Sequence, residues 1–324
     1  MYDVVAIGEL LIDFTPAGET EEGTVLFERN PGGAPGNVLA ILSKLGRKAA
    51  LIGKVGDDQF GRFLSGVLED IGVDTKGLVF TKEANTTLAF VHLNGKGDRS
   101  FSFYRKPGAD LLLDQNEVNI EMLKSTKIFH FGTVSMTDNP SRSATLMAVK
   151  IAKENGAIIS FDPNLRIPLW NDLGEAKAMI EKGLEYAEIL KVSNEELEFI
   201  TGKGDLEEGS EIILNKYGIP VILVTLGPSG CFYRIGDKTG ILPAYDVITI
   251  DTTGAGDAFL GSFLYQVIEK GMTLSNLSKA NIEEMIDFAN AAGSVTTVKK
   301  GAIPAMPVIS EIEECIKSIP KLIL

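Results

Sequence analysis

The sequence is poor in the residues that build disulfide and metal frameworks. Among 324 residues there are two cysteines, Cys231 and Cys315, and two histidines, His92 and His130. Two cysteines so far apart do not make a disulfide scaffold, so a reducing cytoplasm is the expected compartment. Two histidines remote from any acidic motif give no zinc site: His92 reads as a hairpin surface residue and His130 as a packed one. Positive charge is also scarce. Lys and Arg number 31 against 44 Asp and Glu, a formal net charge of −13, which argues against nucleic acid or an anionic membrane as partner. No apolar run reaches the roughly 20 residues that span a bilayer. The opening Met1-Tyr2-Asp3-Val4-Val5-Ala6 has no basic region, and Glu9 and Asp13 interrupt its apolar run, so it does not read as a signal peptide. There is no low-complexity segment and no internal repeat. What remains is a chain 44% hydrophobic, with room for one large α/β domain or two small ones.

The chain is organised around Asp251-Thr252-Thr253-Gly254-Ala255-Gly256-Asp257. This stretch follows a β-rich run, Tyr245 to Ile250, and opens an apolar segment that runs to Gly271. It therefore reads as strand, glycine-rich turn and helix start. Gly254 and Gly256 permit unusual dihedrals and close ligand approach. Free N–H groups at 254–257 would point one way at the positive end of a helix, an anion site that needs no basic side chain. A carboxylate at Asp257 beside that site would repel a merely bound phosphate. It makes sense if a neutral hydroxyl lies between the two and gives up its proton as it attacks, the arrangement that phosphoryl transfer to an alcohol needs. A bare G-x-G is more often only a turn, and an Asp in a first helical turn often only complements the dipole. No Lys-Ser/Thr follows, so this is not a Walker loop.

Residues 3–8 predict a buried strand, and Asp13 falls just past its C-terminal end, where open α/β sheets put ligands. In Asn30-Pro31-Gly32-Gly33-Ala34-Pro35-Gly36-Asn37, the glycines bring bare backbone to a loop and Asn37 can cap the helix that follows. Its plain reading is cap and turn; its functional reading is a sugar site of backbone N–H groups and an amide. Residues 86–104 alternate strongly and predict a hairpin turning at 94–98. With the strands near 14–31 they form a small separate sheet. From 127 on, strands at 127–131, 157–161, 188–192 and 220–224 alternate with helices at 140–155, 174–186, 195–201 and 206–217. That alternation predicts a mostly parallel sheet covered on both faces.

Asp-Thr-Thr-Gly-Ala-Gly-Asp-Ala-Phe-x-Gly from Asp251 resembles the C-terminal signature of the ribokinase-like (PfkB) carbohydrate kinases, and the Gly32-Gly33 segment resembles their N-terminal one. Phe103-Tyr104-Arg105-Lys106-Pro107-Gly108-Ala109-Asp110 and Phe161-Asp162-Pro163-Asn164-Leu165-Arg166 are similar to fructokinases in particular. The resemblance covers nearly the whole chain. It implies one α/β domain over 1–324, with a β lid formed by about 14–31 and 86–106 closing over the sugar. It implies ATP-dependent phosphorylation of a primary hydroxyl, fructose to fructose 6-phosphate first; 2-keto-3-deoxygluconate, ribose and nucleosides stay open, as does a catalytically idle regulator. Residue by residue, it makes Asp257 the base and Gly254, Ala255 and Gly256 the anion hole, with Arg166 neutralising phosphate. Asp13, Gly32, Gly33, Asn37 and Arg105 would meet the sugar. Ser193, Thr225, Gly227, Gly230 and Asn290 fall on the nucleotide side. Aligned on Thr201-Gly202, Glu196 keeps the Glu that orders the water shell of Mg²⁺ in relatives, while Ser193 replaces their Asn. Asp251, Thr253, Thr296, Lys299 and Gly301 mark the loops that hold K⁺ in some relatives. Exposed apolar positions at 87–93 and 101–104 motivate a homodimer through the lid.

Overall fold

The computed structural model describes residues 1–93, 99–271, 273–274 and 277–323; the expected hairpin turn at 94–98 lies outside them. Its strands are β1 (Tyr2–Ile7), β2 (Leu11–Glu19), β3 (Val25–Gly32), β4 (Ala49–Gly56), β5 (Asp74–Thr81), β6 (Leu88–Leu93), β7 (Arg99–Tyr104), β8 (Thr126–Phe131), β9 (Ile158–Phe161), β10 (Ile189–Ser193), β11 (Val221–Thr225), β12 (Cys231–Ile235) and β13 (Lys238–Leu242). Its helices are α1 (Ala34–Lys44), α2 (Gln59–Asp70), α3 (Ile120–Lys124), α4 (Ser141–Glu154), α5 (Leu173–Leu184), α6 (Asn194–Thr201), α7 (Leu206–Tyr217), α8 (Ala255–Lys270), α9 (Lys279–Thr296) and α10 (Ile309–Ser318).

Nine strands form one sheet in the order β13-β12-β11-β10-β9-β8-β1-β4-β5. Its pairs are parallel from β5 across to β11, and the last two strands turn antiparallel. Strand periodicity divides the core in two. Val4 and Ala6 of β1 join a cluster with α1, α2, α8, α9 and α10. Val5 and Ile7, the alternate residues, join a cluster with α3 to α7. A strand buried on both faces reads as a continuous apolar run, as Val-Val-Ala-Ile does. Because β1 has β4 on one side and β8 on the other, the winding direction reverses there, and open α/β sheets bind ligands outside the C-terminal ends at such a point.

A second sheet, β3-β2-β6-β7, stands apart. One face turns Leu11, Asp13, Thr15, Glu28, Val91 and Phe103 toward a cleft. The other carries an aromatic cluster in which Phe14 stacks on Phe90 at 4.8 Å and Phe27 and Tyr104 meet Phe90 edge-on. Arg29 lies over the ring of Phe63, which ties this sheet to α2.

Three local expectations are corrected. Tyr245 to Ile250 is not a strand; Tyr245 makes only an isolated bridge with Lys321. The run pairs with no strand of either sheet among the described residues, and its Ile248 is left 88% exposed. Asp13 lies within β2, paired opposite Asn30, rather than in a loop. Asn37 does not cap α1: the cap position is Gly33, and Asn37 sits in the first turn.

Candidate active site

A cleft of about 780 Å³ opens between the second sheet and the C-terminal ends of β1, β9 and β10. It brings together Asp13, Gly33, Asn37, Arg166, Ser193, Glu196, Asp251, Thr253, Gly254, Gly256, Asp257 and Gly301 from remote parts of the chain. The contact at its centre depends on helix packing. α8 is apolar almost all round because it lies against both α1 and α9. A Cβ at Gly261 would overlap Ile41 of α1, so glycine there lets the two helices approach closely. Asn37 in the first turn of α1 then donates through Nδ2 to Asp257 Oδ2 at 2.8 Å. The other amide atom, Asn37 Oδ1, is buried and has no hydrogen-bond partner among the described residues.

Asp257 stands in the first turn of α8, whose cap, Gly254, adopts φ 78°. Non-glycine residues rarely take that left-handed conformation. The Ala255 N–H bonds back to the Thr252 carbonyl, so it is taken out of the expected anion site. The N–H groups of Gly256 and Asp257 find no backbone acceptor among the described residues. Burial raises the Asp257 pKa, while the Lys191 charge and the Asn37 hydrogen bond oppose that rise. Asp13 is pushed up to about 6, first by burial; Arg166 pulls it down and Asp257 up. Gly32 does not line the cleft. Its part is room, since a Cβ there would collide with the Asp13 carboxylate.

Lys191, to which the sequence reading gave no role, lies at the floor. It is buried, lines the cleft, and donates to Asp162 Oδ2 at 2.8 Å. Its Nζ would be 3.1 Å from a Cβ at Gly256, which places the ammonium beneath the N-terminus of α8. Burial works against its charge, but Asp162, Glu196 and Asp257 together outweigh that and hold it protonated. Asp162 also accepts from the Asn164 N–H, so it shapes the turn while holding its ion pair. The detectable sign was a lysine inside the buried strand Ile-Leu-Lys-Val, since a charge at such a position needs a partner.

The Glu196 carboxylate accepts from the Leu165 and Ser193 backbone N–H groups, and Ser193 with Glu196 forms a capping box at α6. Glu196 therefore joins the Arg166 loop to the end of β10. Among the described residues no group of three or more His, Cys, Asp or Glu is arranged to hold a metal. A single cleft-facing carboxylate fits Mg²⁺ that arrives on phosphate oxygens and keeps its waters. Asp251 accepts from Thr253 N–H and hydroxyl through one oxygen and from the Gly301 N–H through the other, stapling those two loops together.

Other expected residues fall elsewhere. Arg105 is a correction: its guanidinium is buried behind the wall, bonded to Asp110, Thr137 and the Val134 carbonyl, because a charge buried there needs every donor satisfied. Thr225, Gly227 and Gly230 do not line the cleft. They continue the row of strand ends, Thr225 lying beside Ser193 in register. Asn290 donates to the Leu242 and Pro243 carbonyls and so pins the end of β13. The Thr296 hydroxyl is spent on the Ala292 carbonyl and the Lys299 ammonium on Glu311.

Comparison with known proteins agrees with this geometry. The model of the pfkB family carbohydrate kinases matches residues 1–309. Fructokinase-1 of Oryza sativa subsp. japonica is 46% identical over 317 residues, 97% of this chain and 98% of the relative. Fructokinase-2 of Solanum lycopersicum is 44% identical over 95% of this chain and 94% of its own. Among solved structures, a fructokinase from Xylella fastidiosa with bound ATP superimposes with a TM-score of 0.90 at 32% identity, covering 98% and 99% of the two chains. A fructokinase double mutant from Vibrio cholerae O395, in a form with fructose, ADP and potassium ion bound, gives 0.87 at 34% identity over 97% and 98%. The architecture is ribokinase-like, with the smaller sheet as its lid, and the chain belongs to the pfkB family of carbohydrate kinases.

Proposed function

We propose that this protein is an ATP-dependent fructokinase that transfers the γ-phosphoryl group to the primary hydroxyl of fructose. The observation that carries the reading is Asn37 Oδ1, a buried acceptor with no partner among the described residues, on the same amide whose Nδ2 donates to Asp257 Oδ2 at 2.8 Å. A buried polar atom left unsatisfied costs on the order of 1–3 kcal/mol, so such a site calls for a donor. A sugar hydroxyl supplies it. Asp13 and the backbone at Gly33 hold the other hydroxyls. The primary hydroxyl oxygen bonds to the γ-phosphorus as the bridging oxygen leaves with ADP, and Asp257 takes the hydroxyl proton late in the step. A free alcohol is too weak an acid to lose it to a carboxylate beforehand. The N–H groups of Gly256 and Asp257, with Lys191 and Arg166, spread the charge that develops on the transferring group. Mg²⁺, when bound with ATP, would supply charge neutralisation on the phosphates, and Glu196 would be the carboxylate that holds its water shell.

Fructose is favoured by the relatives' names and by charge. Glu9, Asp13 and Glu28 line this part of the cleft, and they would repel a sugar acid such as 2-keto-3-deoxygluconate. An idle regulator would have no use for Asp257 beside an orphaned acceptor. Release of ADP measured across fructose, ribose, 2-keto-3-deoxygluconate and adenosine tests the reading. Fructose should give the highest kcat/KM; a higher value for any of the others would overturn the substrate, and no sugar-stimulated release would overturn the enzyme. Addition of K⁺ to the same assay tests the Asp251–Gly301 loops as a cation site. A homodimer through the lid is supported by Val25, Leu26, Phe27 and Tyr104, exposed together on its edge strands, and a monomer in light scattering would refute it. Both cysteines are free and buried, in keeping with the reducing compartment proposed.

A further inference from the structure

We infer that Glu9 is a positioning residue for the acceptor hydroxyl: it clamps the first turn of α1 from outside the helix and so holds Asn37 against Asp257. The inference rests on the sugar-kinase reading above. Gly33, at the cap of α1, offers no side chain to the free N–H groups of the first turn, and Pro35 removes one of them. The cap comes instead from the β1–β2 connection. Glu9 Oε1 accepts the Ala34 N–H at 3.0 Å. The two segments are pressed together along their length: a Cβ on Gly33 would strike the Glu9 carbonyl, and one on Gly8 would strike Pro35. Three residues along the same turn, Asn37 makes its bond to Asp257. A shift of the turn therefore moves the orphaned Oδ1 acceptor and the base partner at once.

Glu9 is 4% exposed, yet it lines the cleft. Burial first of all pushes its carboxyl up to about 7, against the pull of its own N–H, the Ala34 N–H and the Arg105 charge. The groups around it are Arg105 and Asp110 behind the wall, His130 and Asp162 across a small adjoining cavity, and Asp13, Lys191 and Asp257 across the cleft. His130, which burial takes down to about 4, stays neutral at physiological pH. Between pH 6 and 8 Glu9 changes charge; Asp13, pushed up to about 6, does so at the acid end of that range, alike in the wild type and in variants at Glu9. Ionised, it makes a charge-assisted cap on the positive end of α1; protonated, it makes only a neutral hydrogen bond, about half as strong.

The test compares Glu9→Gln, which keeps an acceptor oxygen without charge, with Glu9→Ala, which has none. At pH 8 the glutamine variant should raise the KM for fructose roughly three- to tenfold, with kcat falling less than twofold. At pH 6, where wild-type Glu9 is mostly protonated, the gap should close. The alanine variant should show a larger KM at both pH values, and its difference from the glutamine variant should not depend on pH. Fructose titration by calorimetry, without ATP, should show the same pattern in Kd. A glutamine variant whose KM follows the wild-type pH curve would overturn the inference, as would equal losses in kcat and KM with a lowered melting temperature. No fructose-stimulated ADP release by the wild type would instead overturn the sugar-kinase reading on which it stands.

Discussion

The Lys191–Asp162 pair allows a stabilising role and a catalytic role to be separated. The two charges meet at 2.8 Å, with Lys191 9% and Asp162 2% exposed. Lys191→Met removes the ammonium and strands Asp162, whose carboxylate then keeps, among the described residues, the Asn164 N–H alone. Breaking a buried pair on one side costs roughly 3–5 kcal/mol, because a charge is left uncompensated. For a chain of this size that is a fall of roughly 6–15 °C in melting temperature, at about 2–3 °C per kcal/mol. Adding Asp162→Asn removes the stranded charge while keeping an acceptor for the turn, and should return most of the lost stability. Turnover should not return with it. If Lys191 neutralises charge on the transferring phosphoryl group, the double variant should still lose about 10²- to 10³-fold in kcat, the scale of one charge-stabilising donor at a transition state. Calorimetric melting and ADP-release kinetics on the wild type and the two variants decide the matter. A double variant that regains both stability and turnover would show that the pair only supports the fold.

Other perturbations follow from the same geometry. Asp257→Asn should keep the fold and bind nucleotide while losing ~2 to 4 orders of magnitude in kcat, and near-normal turnover would remove Asp257 as the base. Gly261→Ala should cost about 1–3 kcal/mol through overlap with Ile41. By opening the 2.8 Å contact between Asn37 and Asp257, it should also raise the KM for fructose; a change in stability alone would refute the link. Glu9 has a stability consequence of definite sign. With its carboxyl raised from 4.5 to about 7, the folded state keeps a proton the unfolded chain has lost, so stability falls as pH climbs through that window. The loss is at most about 3 kcal/mol by pH 8, and Glu9→Gln should flatten that part of the melting-temperature profile; an unchanged profile would refute it.

Much of the fold was legible because parallel strands between helices leave a strong pattern. The runs near 127–131 and 220–224 and the four helices between 140 and 217 fall within a residue or two of β8, β11, α4, α5, α6 and α7. Tyr245 to Ile250 misled for the converse reason. Strand propensity describes a fit to a half-buried pleated surface, and this run, with Ile248 and Ile250 exposed, does not lie on one. The residues brought to the cleft were mostly those in glycine-rich phrases, where the requirement is local: a turn, a bare N–H, an acid one helical turn along.

What local reading missed is charge, because a buried charge is explained only by its partner. Arg105 reads as a lid residue until Asp110, Thr137 and the Val134 carbonyl account for its donors. Lys191 reads as part of a strand until Asp162 and Asp257 surround it. Glu9 reads as an interruption of an apolar run until the Ala34 N–H, in another segment, meets it. Each partner lies on a different element, so the pairing follows from topology rather than spacing. The winding reversal at β1 puts the Glu9 loop beside α1, and the β9–β10 pairing puts Asp162 beside Lys191. The sheet order thus brings the acidic Glu9, Asp13 and Glu28, proposed to face the sugar, and the basic Lys191 and Arg166, proposed to face the phosphate, into one cleft with Asp257. In the proposed reaction a hydroxyl held between them would meet positive charge on the side where the phosphoryl group arrives and a proton acceptor on the other, which would lower the barrier to transfer to an alcohol.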